Sequence, residues 1–505
     1  MVKIGVVQQK RAAKSEALEG EDLKRTTTCV TSTQLRLGKY KRMGEGLSTC
    51  EAKFQKVNNV DEHEGRIDNL PDEIIQHILS LLPTKDAVRT SVLSRRWFSQ
   101  WTYVTNLDFS DFPPNMNQKR SLFMDFVDRV ISLRKPLDLS FFRLVCEVFT
   151  DASRINSWVC AAVKHNVQHL LLVLDQIHLE PLELPHCLFT CNTLRKAFIM
   201  ADILLKLPSS IYFSNLKLLT LQCVIFPGYL STQQLFSGLP VLEELTLDSC
   251  CWWNVETVTI ALPMLKKLDI KENLADCDNC RFFIIAENLK YFYYIGTLRN
   301  DYLIYNSTSL SWGLIGLCGT NDIGESSRQR EVAHRAGRLL RGISCAKELL
   351  LTPYAFEVLT YSENLIACMP VSYKLTYVGF LSLGVAINFG CGTLAKFLEK
   401  FPCLELLVFQ SGVCLSENHE GSWILDPVPY CFSRHLKFIR ISQFCGTDGE
   451  LQVVKSLLEH AEVLLRMDII CHHEKFSGGL AKERDVLEQL QMLHGASTYC
   501  KINFS

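Results

Sequence analysis

Two short clusters in this 505-residue chain carry side chains whose types and spacing could do chemistry. Cys277-Asp278-Asn279-Cys280 has the spacing of half a zinc site or of a redox pair. Zinc needs four ligands, and no second C-x-x-C or H-x-x-x-H stands nearby. A redox pair belongs in a thioredoxin-like setting at the start of a helix, which the surrounding residues do not supply. A polar loop is the simpler reading. Cys471-His472-His473 offers three ligands, but adjacent side chains on a strand point to opposite faces. The chain contains no G-x-x-x-x-G-K-[ST] loop, no G-x-S-x-G elbow and no H-E-x-x-H helix. No residue is therefore assigned a catalytic, cofactor-binding or metal-binding role, and the expectation is a non-enzyme.

Composition narrows the classes further. A net charge of −1 provides no global attraction to nucleic acid or to an anionic membrane. No apolar run reaches the ~18 residues of a membrane span, and Ile4–Val7 is too short for a signal-peptide core. The 21 cysteines are scattered as small buried apolar residues are, which suits a reducing compartment, nucleus or cytoplasm. Without a secretory signal the sequon Asn306-Ser307-Thr308 carries no meaning. Apolar residues make up 48 % of the chain, enough for a sizeable core and for two or more units.

The sharpest pattern lies at residues 66–108. Leu70-Pro71-Asp72-Glu73 reads as a helix start, with proline in the first turn and two acids facing the dipole. Ile74, Ile75, Ile78, Leu79 and Leu82 follow at helical spacing, and Pro83 stops that helix. Thr84 is placed to cap a second helix through Val88, Val92 and Leu93, and Ser94 a third containing Trp97 and Trp101. So few residues bury too little surface to stand alone, and no cysteine or metal cluster helps them. Either a partner covers them, or they rest on the downstream chain.

Around this stretch the chain divides into six segments. Residues 1–65 are polar and lean basic, with too few apolar residues to offset chain entropy. Arg36, Lys39, Lys41 and Arg42 within them fit an import patch or plain solvated tail charge. In 109–165, Leu122, Phe123, Phe126, Val127, Val130 and Leu133 give a helical face. A strand over Leu139–Val148 and a second helix with Ile155, Trp158, Val159, Ala162 and Val163 follow.

Across 166–420 a fragment L-x-x-L-x-L recurs: Val167/Leu170/Leu172, Leu216/Leu219/Leu221, Leu242/Leu245/Leu247, Leu265/Leu268/Ile270, Leu289/Phe292/Tyr294, and on to Leu404/Leu407/Phe409. One such unit cannot bury its apolar edge alone, so neighbours stack into a curved solenoid with a parallel sheet inside. The polar run 319–337 interrupts the rhythm and reads as an exposed loop leading into a helix that ends near Leu340. Residues 421–475 read strand (Leu436–Ile441), glycine turn, helix (Leu451–His460), strand (Leu464–Ile470), one further α/β turn, and 476–505 extend it.

The order LPDEII, a leucine-rich helix and LPTKDAVRTSVLSRRW resembles the F-box of plants. The W…P-x-P-x-C opening and the G…E-L-x-x-V-K-x-L-L-E core after Trp423 resemble the FBD domain of plant F-box/leucine-rich-repeat proteins. The resemblance implies an α/β fold: a three-helix F-box, a leucine-rich-repeat solenoid with helices and loops outside its sheet, and an FBD-type cap. It also implies a partner, the Skp-type linker subunit of a cullin-based ubiquitin ligase. Leu70, Pro71, Ile75, Leu79, Leu82, Val88, Val92, Leu93 and Trp97 would form or support that docking face. The protein would then be a substrate receptor that brings a client protein to the ligase and supplies proximity. An F-box scaffold outside any ligase is the alternative, and a small-molecule sensor is a further one.

Alternation along the repeat strands points the residues between the leucines out of the core. That nominates Leu218, Thr220, Gln222, Glu244, Thr246, Asp248, Lys267, Asp269, Lys271, Tyr291 and Tyr293 for client contact, or for an ordinary solvated strand face. Aromatics dominate interface energetics, so the two tyrosines stand out.

Overall fold

The leucine fragments recur because each places two inward side chains on one strand, and such strands are satisfied only beside copies of themselves. The computed structural model describes residues 69–504 except 111–116, 149–151, 177–181, 202–204, 227, 273–278, 319–325, 362, 382–386, 389–390, 415–424, 426, 472–485, 487 and 491–494. Fifteen strands form one sheet in strict chain order, every neighbouring pair parallel. They are β1 (Asn106–Phe109), β2 (Phe141–Val148), β3 (His169–Gln176), β4 (Lys196–Ala201), β5 (Leu218–Gln222), β6 (Glu244–Asp248), β7 (Lys267–Lys271) and β8 (Tyr291–Gly296). Then come β9 (Trp312–Leu317), β10 (Glu348–Leu351), β11 (Tyr377–Phe380), β12 (Leu406–Phe409), β13 (Phe438–Phe444), β14 (Arg466–Cys471) and β15 (Lys501–Phe504).

The register carries the repeat through the molecule. Leu219, Leu245, Leu268 and Phe292 are direct neighbours, and Leu349, Val378, Leu407, Ile439 and Met467 continue the row, all buried. The gap in this row is Gly313. A Cβ there would lie 3.0 Å from Ile343 Cδ1, so Ile343 fills the space a leucine would take. The sheet also runs past both ends of the stretch in which the repeat is legible. β1 and β2 precede it, and β15 pairs with β14 after it.

Behind the sheet many of the described connections contain helices, while three carry five-residue strands. Thr257–Ala261, Arg281–Ile285 and Asp301–Tyr305 form a parallel back sheet. Between the two sheets aromatics are layered: Phe226 on Trp252 (4.5 Å between centroids), Trp252 on Phe282 (4.9 Å) and Phe282 on Tyr302 (4.7 Å). Such pairs contribute about 0.5–1.5 kcal/mol each beyond the area they bury.

Glu272, at the end of β7, organises the turn beside them. Its Oε2 accepts from the Tyr294 hydroxyl (2.6 Å) and the Arg299 amide (3.1 Å). Its Oε1 accepts from the Tyr302 hydroxyl (2.8 Å) and the Asn300 side chain (3.0 Å). Burial, and then the nearby carboxylate, push both tyrosine hydroxyls well above their usual range, so they stay donors. The helix Ser326–Gly342 is pinned across this region by buried Arg335, which donates to the carbonyls of Leu298 (2.9 Å) and Arg299. It is the helix expected to follow the polar loop and to end near Leu340, and Ala333, Ala336, Leu339 and Leu340 bury its inner side.

Local readings near the N-terminus need three corrections. Thr84 does not cap the second helix. That helix, α2 (Thr84–Arg89), follows Pro83, and buried Thr84 instead accepts from the Asp108 amide at 2.7 Å, tying it to β1. The third segment winds as a 3₁₀ helix, Trp97–Tyr103, with Ser94 Oγ accepting from the Trp97 amide at 3.4 Å. In the helix Asn117–Leu133, Val127 and Val130 are buried, but Leu122 and Leu133 point to solvent because the inward side passes through Met124 instead.

The C-terminal unit follows the expected order: β13, the helix Asp448–His460 and β14. Thr447 and Glu450 form a reciprocal capping box at the start of that helix. Some sequence readings lie outside the described residues: the tail 1–65, Cys277, 319–325 of the polar run, Trp423, the pair His472-His473, and most of 476–505.

Candidate functional site

Two surfaces stand out, one on the N-terminal helices and one on the open face of the sheet. The first helix, α1 (Asp72–Ser80), has apolar side chains on two sides. Ile75 and Leu79 turn inward and are fully buried against the 3₁₀ segment, where Trp97 and Trp101 are also buried. Arg96 closes the bundle with an ion pair to Asp72 (2.6 Å), and Gln76 bonds to buried Gln100 (3.3 Å). That hydrogen bond to Arg96 holds the Asp72 carboxyl below its ordinary value. On the other side Ile74 and Ile78 face solvent. Leu81, Val92 and Phe98 are 73 %, 87 % and 67 % exposed, and Leu82 and Leu93 are exposed with them.

The residues nominated for linker docking thus fall into two groups. Pro71, Leu82, Val92 and Leu93 are exposed, and Leu70 and Val88 are half-buried. Ile75, Leu79 and Trp97 are interior, which leaves them only the supporting part of the expected role, shaping the outer face from within. Ile74, Ile78, Leu81 and Phe98 lie outside the nominated set and are exposed as well. The helical period gave the turn, but the side on which the chain supplies neighbours is decided by β1 and the 3₁₀ segment.

On the sheet, Leu218, Thr220, Gln222, Glu244, Thr246, Asp248, Lys267, Asp269, Lys271, Tyr291 and Tyr293 all lie on the one face opposite the core, half-buried or exposed. Lys271 reaches Asp248 (3.6 Å) and Asp269 (3.9 Å). Lys267 sits over the Tyr293 ring at 5.4 Å, and Tyr293 leans on Trp312 with centroids 4.3 Å apart. Burial first, then Asp269, pushes the Tyr293 hydroxyl upward, so it stays protonated. The face continues beyond the nominated strands. Register places Trp312 beside Tyr291 and Leu314 beside Tyr293. Leu350, Tyr377, Leu406 and Val408 extend the apolar stripe over β10–β12. Gly379 keeps this part flat: a Cβ there would meet Leu350 Cδ2 at 2.4 Å and Tyr377 Oη at 2.8 Å. The signal for this extension was present in Leu310-Ser311-Trp312, but Gly313 disguised the repeat.

Neither cysteine cluster forms a site among the described residues. Cys280 is buried, and burial pushes its thiol up to about 12, so it packs as a small apolar group. No group of three or more His, Cys, Asp or Glu residues that could hold a metal occurs among the described residues. No helix among them is long and apolar enough to cross a membrane.

Comparison with known proteins identifies the parts. A model of the F-box domain matches residues 67–108, and a model of the FBD domain residues 426–469. A model of the LRR repeats of FBD-associated F-box protein At5g56370 matches residues 155–286. F-box/LRR-repeat protein At4g14096 of Arabidopsis thaliana is 31 % identical over 408 residues, covering 78 % of this chain and 84 % of that one. F-box protein At3g59000 of the same plant is 30 % identical over 439 residues, 80 % of this chain and 86 % of its own.

The chain belongs to the F-box/LRR-repeat family.

F-box/LRR-repeat protein At2g42730 of Arabidopsis thaliana is similar as well, at 29 % identity over 86 % of this chain and 97 % of that one. In this family member the F-box is not a separate bead. It runs through Val104 directly into β1 and shares a core with the repeats. Arg134 secures the junction, donating to the carbonyls of Leu137 (3.0 Å) and Val104 (3.4 Å).

Proposed function

We propose that this protein is a substrate-receptor subunit of a cullin-based ubiquitin ligase. Its F-box docks on a Skp-type linker, and through it on a cullin. The sheet face of the repeats and the FBD unit hold a client protein for ubiquitination. The protein makes no bonds itself; it converts a chance encounter into an effectively intramolecular one. It would act where the ligase does, in the nucleus or the cytoplasm.

The observation that supports this reading most is the exposed patch around Ile74, Ile78, Leu81, Leu82, Val92, Leu93 and Phe98. So many exposed apolar side chains on one small helical unit mark an interaction surface. The interior of the F-box is already filled by Ile75, Leu79, Trp97 and Trp101, so the patch is not a core in search of its other half. Client contact is supported by the aromatic and apolar stripe through Tyr291, Tyr293 and Trp312.

The test is copurification of the linker and cullin with the intact chain, alongside an Ile78→Asp/Leu93→Asp variant. Recovery of both subunits with the parent chain and neither with the variant is expected. Recovery of the linker without any cullin would replace the ligase reading with that of an F-box scaffold. Alanine at Tyr291 and Trp312 should weaken client ubiquitination and leave linker recovery unchanged.

A further inference from the structure

One edge of the sheet carries a charge pattern unlike the chain as a whole. Arg195, Lys217, Glu243, Lys266 and Lys290 each occupy the position just before their strand, and the backbone stacks them in one row. The Lys217 amide donates to the Arg195 carbonyl (2.9 Å), Glu243 to Lys217 (2.8 Å), Lys266 to Glu243 (2.8 Å) and Lys290 to Lys266 (2.8 Å). One residue on, register aligns Lys196, Leu218, Glu244, Lys267 and Tyr291. Six cations therefore share this rim with two carboxylates, in a chain of net charge −1.

The carboxylates do not neutralise the rim. Glu243 is shared by Lys217 (2.8 Å) and Lys266 (2.6 Å), which together lower its carboxyl to about 2 and keep it ionised. Among the described residues, Arg195, Lys196, Lys267 and Lys290 have no carboxylate within 4.0 Å. Burial, and then Lys196 and Arg195, hold the neighbouring His169 below its ordinary value, as a positive local field requires. Next to this rim lies the aromatic group: Tyr291, 44 % exposed, with Tyr293 and Trp312 beside it. Strands lie about 4.8 Å apart, so the row from Arg195 to Lys290 spans roughly 19 Å, the reach of about six extended residues.

We propose that the client segment held here is an extended acidic peptide with a bulky apolar anchor. Its carboxylates lie along the basic row and its anchor sits against Tyr291, Tyr293 and Trp312. The inference rests on the sheet face being the client surface, and it names the chemistry of what that face takes. Nucleic acid fits less well. Glu243, Glu244 and Asp269 stand among the lysines, where a continuous phosphate backbone would be repelled but spaced carboxylates can be threaded between them.

A random linear-peptide display library panned on the whole chain tests this, with Lys266→Glu/Lys290→Glu and Tyr291→Ala/Trp312→Ala variants in parallel. All four positions are half-buried or exposed, and circular dichroism is the check that each variant folds. Enrichment of peptides that combine Asp or Glu with Trp, Phe or Leu is expected. Their affinity by fluorescence anisotropy should fall about tenfold in the charge-reversed variant and weaken with added salt. Peptides that need Tyr291 and Trp312 but show no acidic bias would overturn the inference and leave the client face standing. Peptides indifferent to both variants, or no enrichment, would remove both. A labelled single-stranded oligonucleotide that binds the rim when no acidic peptide does would replace the proposed ligand.

Discussion

Ile74 and Ile75 are neighbours on one turn of α1 and meet different surroundings: Ile75 is fully buried, while Ile74 is 45 % exposed. The pair separates what the F-box needs for folding from what it offers a partner. Ile75→Ala removes atoms from a filled interior and should cost about 2–5 kcal/mol of local stability, seen as earlier loss of the F-box in denaturant. Ile74→Ala should leave unfolding almost unchanged and weaken linker binding. Equal effects on unfolding would contradict the inward and outward assignment.

Glu272 accepts from two tyrosine hydroxyls, a side-chain amide and backbone amides at once. Glu272→Gln sets an NH₂ donor against donors that have nowhere else to turn. A loss of about 1–3 kcal/mol is expected, read from the denaturant midpoint. Tyr294→Phe removes one donor from Glu272 and also the acceptor of the buried Leu298 amide (2.7 Å), so a comparable loss is expected.

His169 gives a pH test. Burial, then Lys196 and Arg195, lower its folded value below the ordinary 6.5. A base with a depressed folded value contributes stability that is present above its unfolded value and is lost as pH falls through the folded value. Stability should therefore decline below pH 6.5 in part through His169, and His169→Gln should flatten that segment of the profile. Lys196→Gln should raise the titration midpoint of His169, followed by NMR of labelled histidine.

Gly238 is held by close approach. A Cβ there would stand 2.5 Å from the Ile211 carbonyl oxygen and 2.9 Å from its carbon. Backbone has to move to admit it, so Gly238→Ala should destabilise the repeat that ends there by about 1–3 kcal/mol. Differential scanning calorimetry reads this as a lower or broadened transition.

How far the sequence announces this molecule depends on how local each signal is. Leu216, Leu219 and Leu221 announce a repeat strand because every inward position is apolar, and the whole row of strands follows from stacking. β9 is obscured because Gly313 takes an inward position and Ile343, thirty residues on, fills it. β1 is obscured because Asn106–Phe109 follows the F-box pattern without a break, and only its pairing with β2 reveals it. Thr84 looks like a cap because threonine often is one; its tie to the Asp108 amide is a tertiary fact. The same holds for the outward side of α1 and for the basic rim. Lys217, Lys266 and Lys290 lie 73 residues apart end to end and become a row only through strand register.

The proposed role requires the outer face of the F-box to bind a Skp-type linker. Isothermal titration of the linker into the whole chain, beside Ile78→Asp/Leu93→Asp, tests it most directly. Saturable binding by the parent chain, reduced at least tenfold in a variant that keeps its circular dichroism and denaturant midpoint, is the predicted result. No heat of binding from the folded parent chain, or equal binding by the variant, would contradict it.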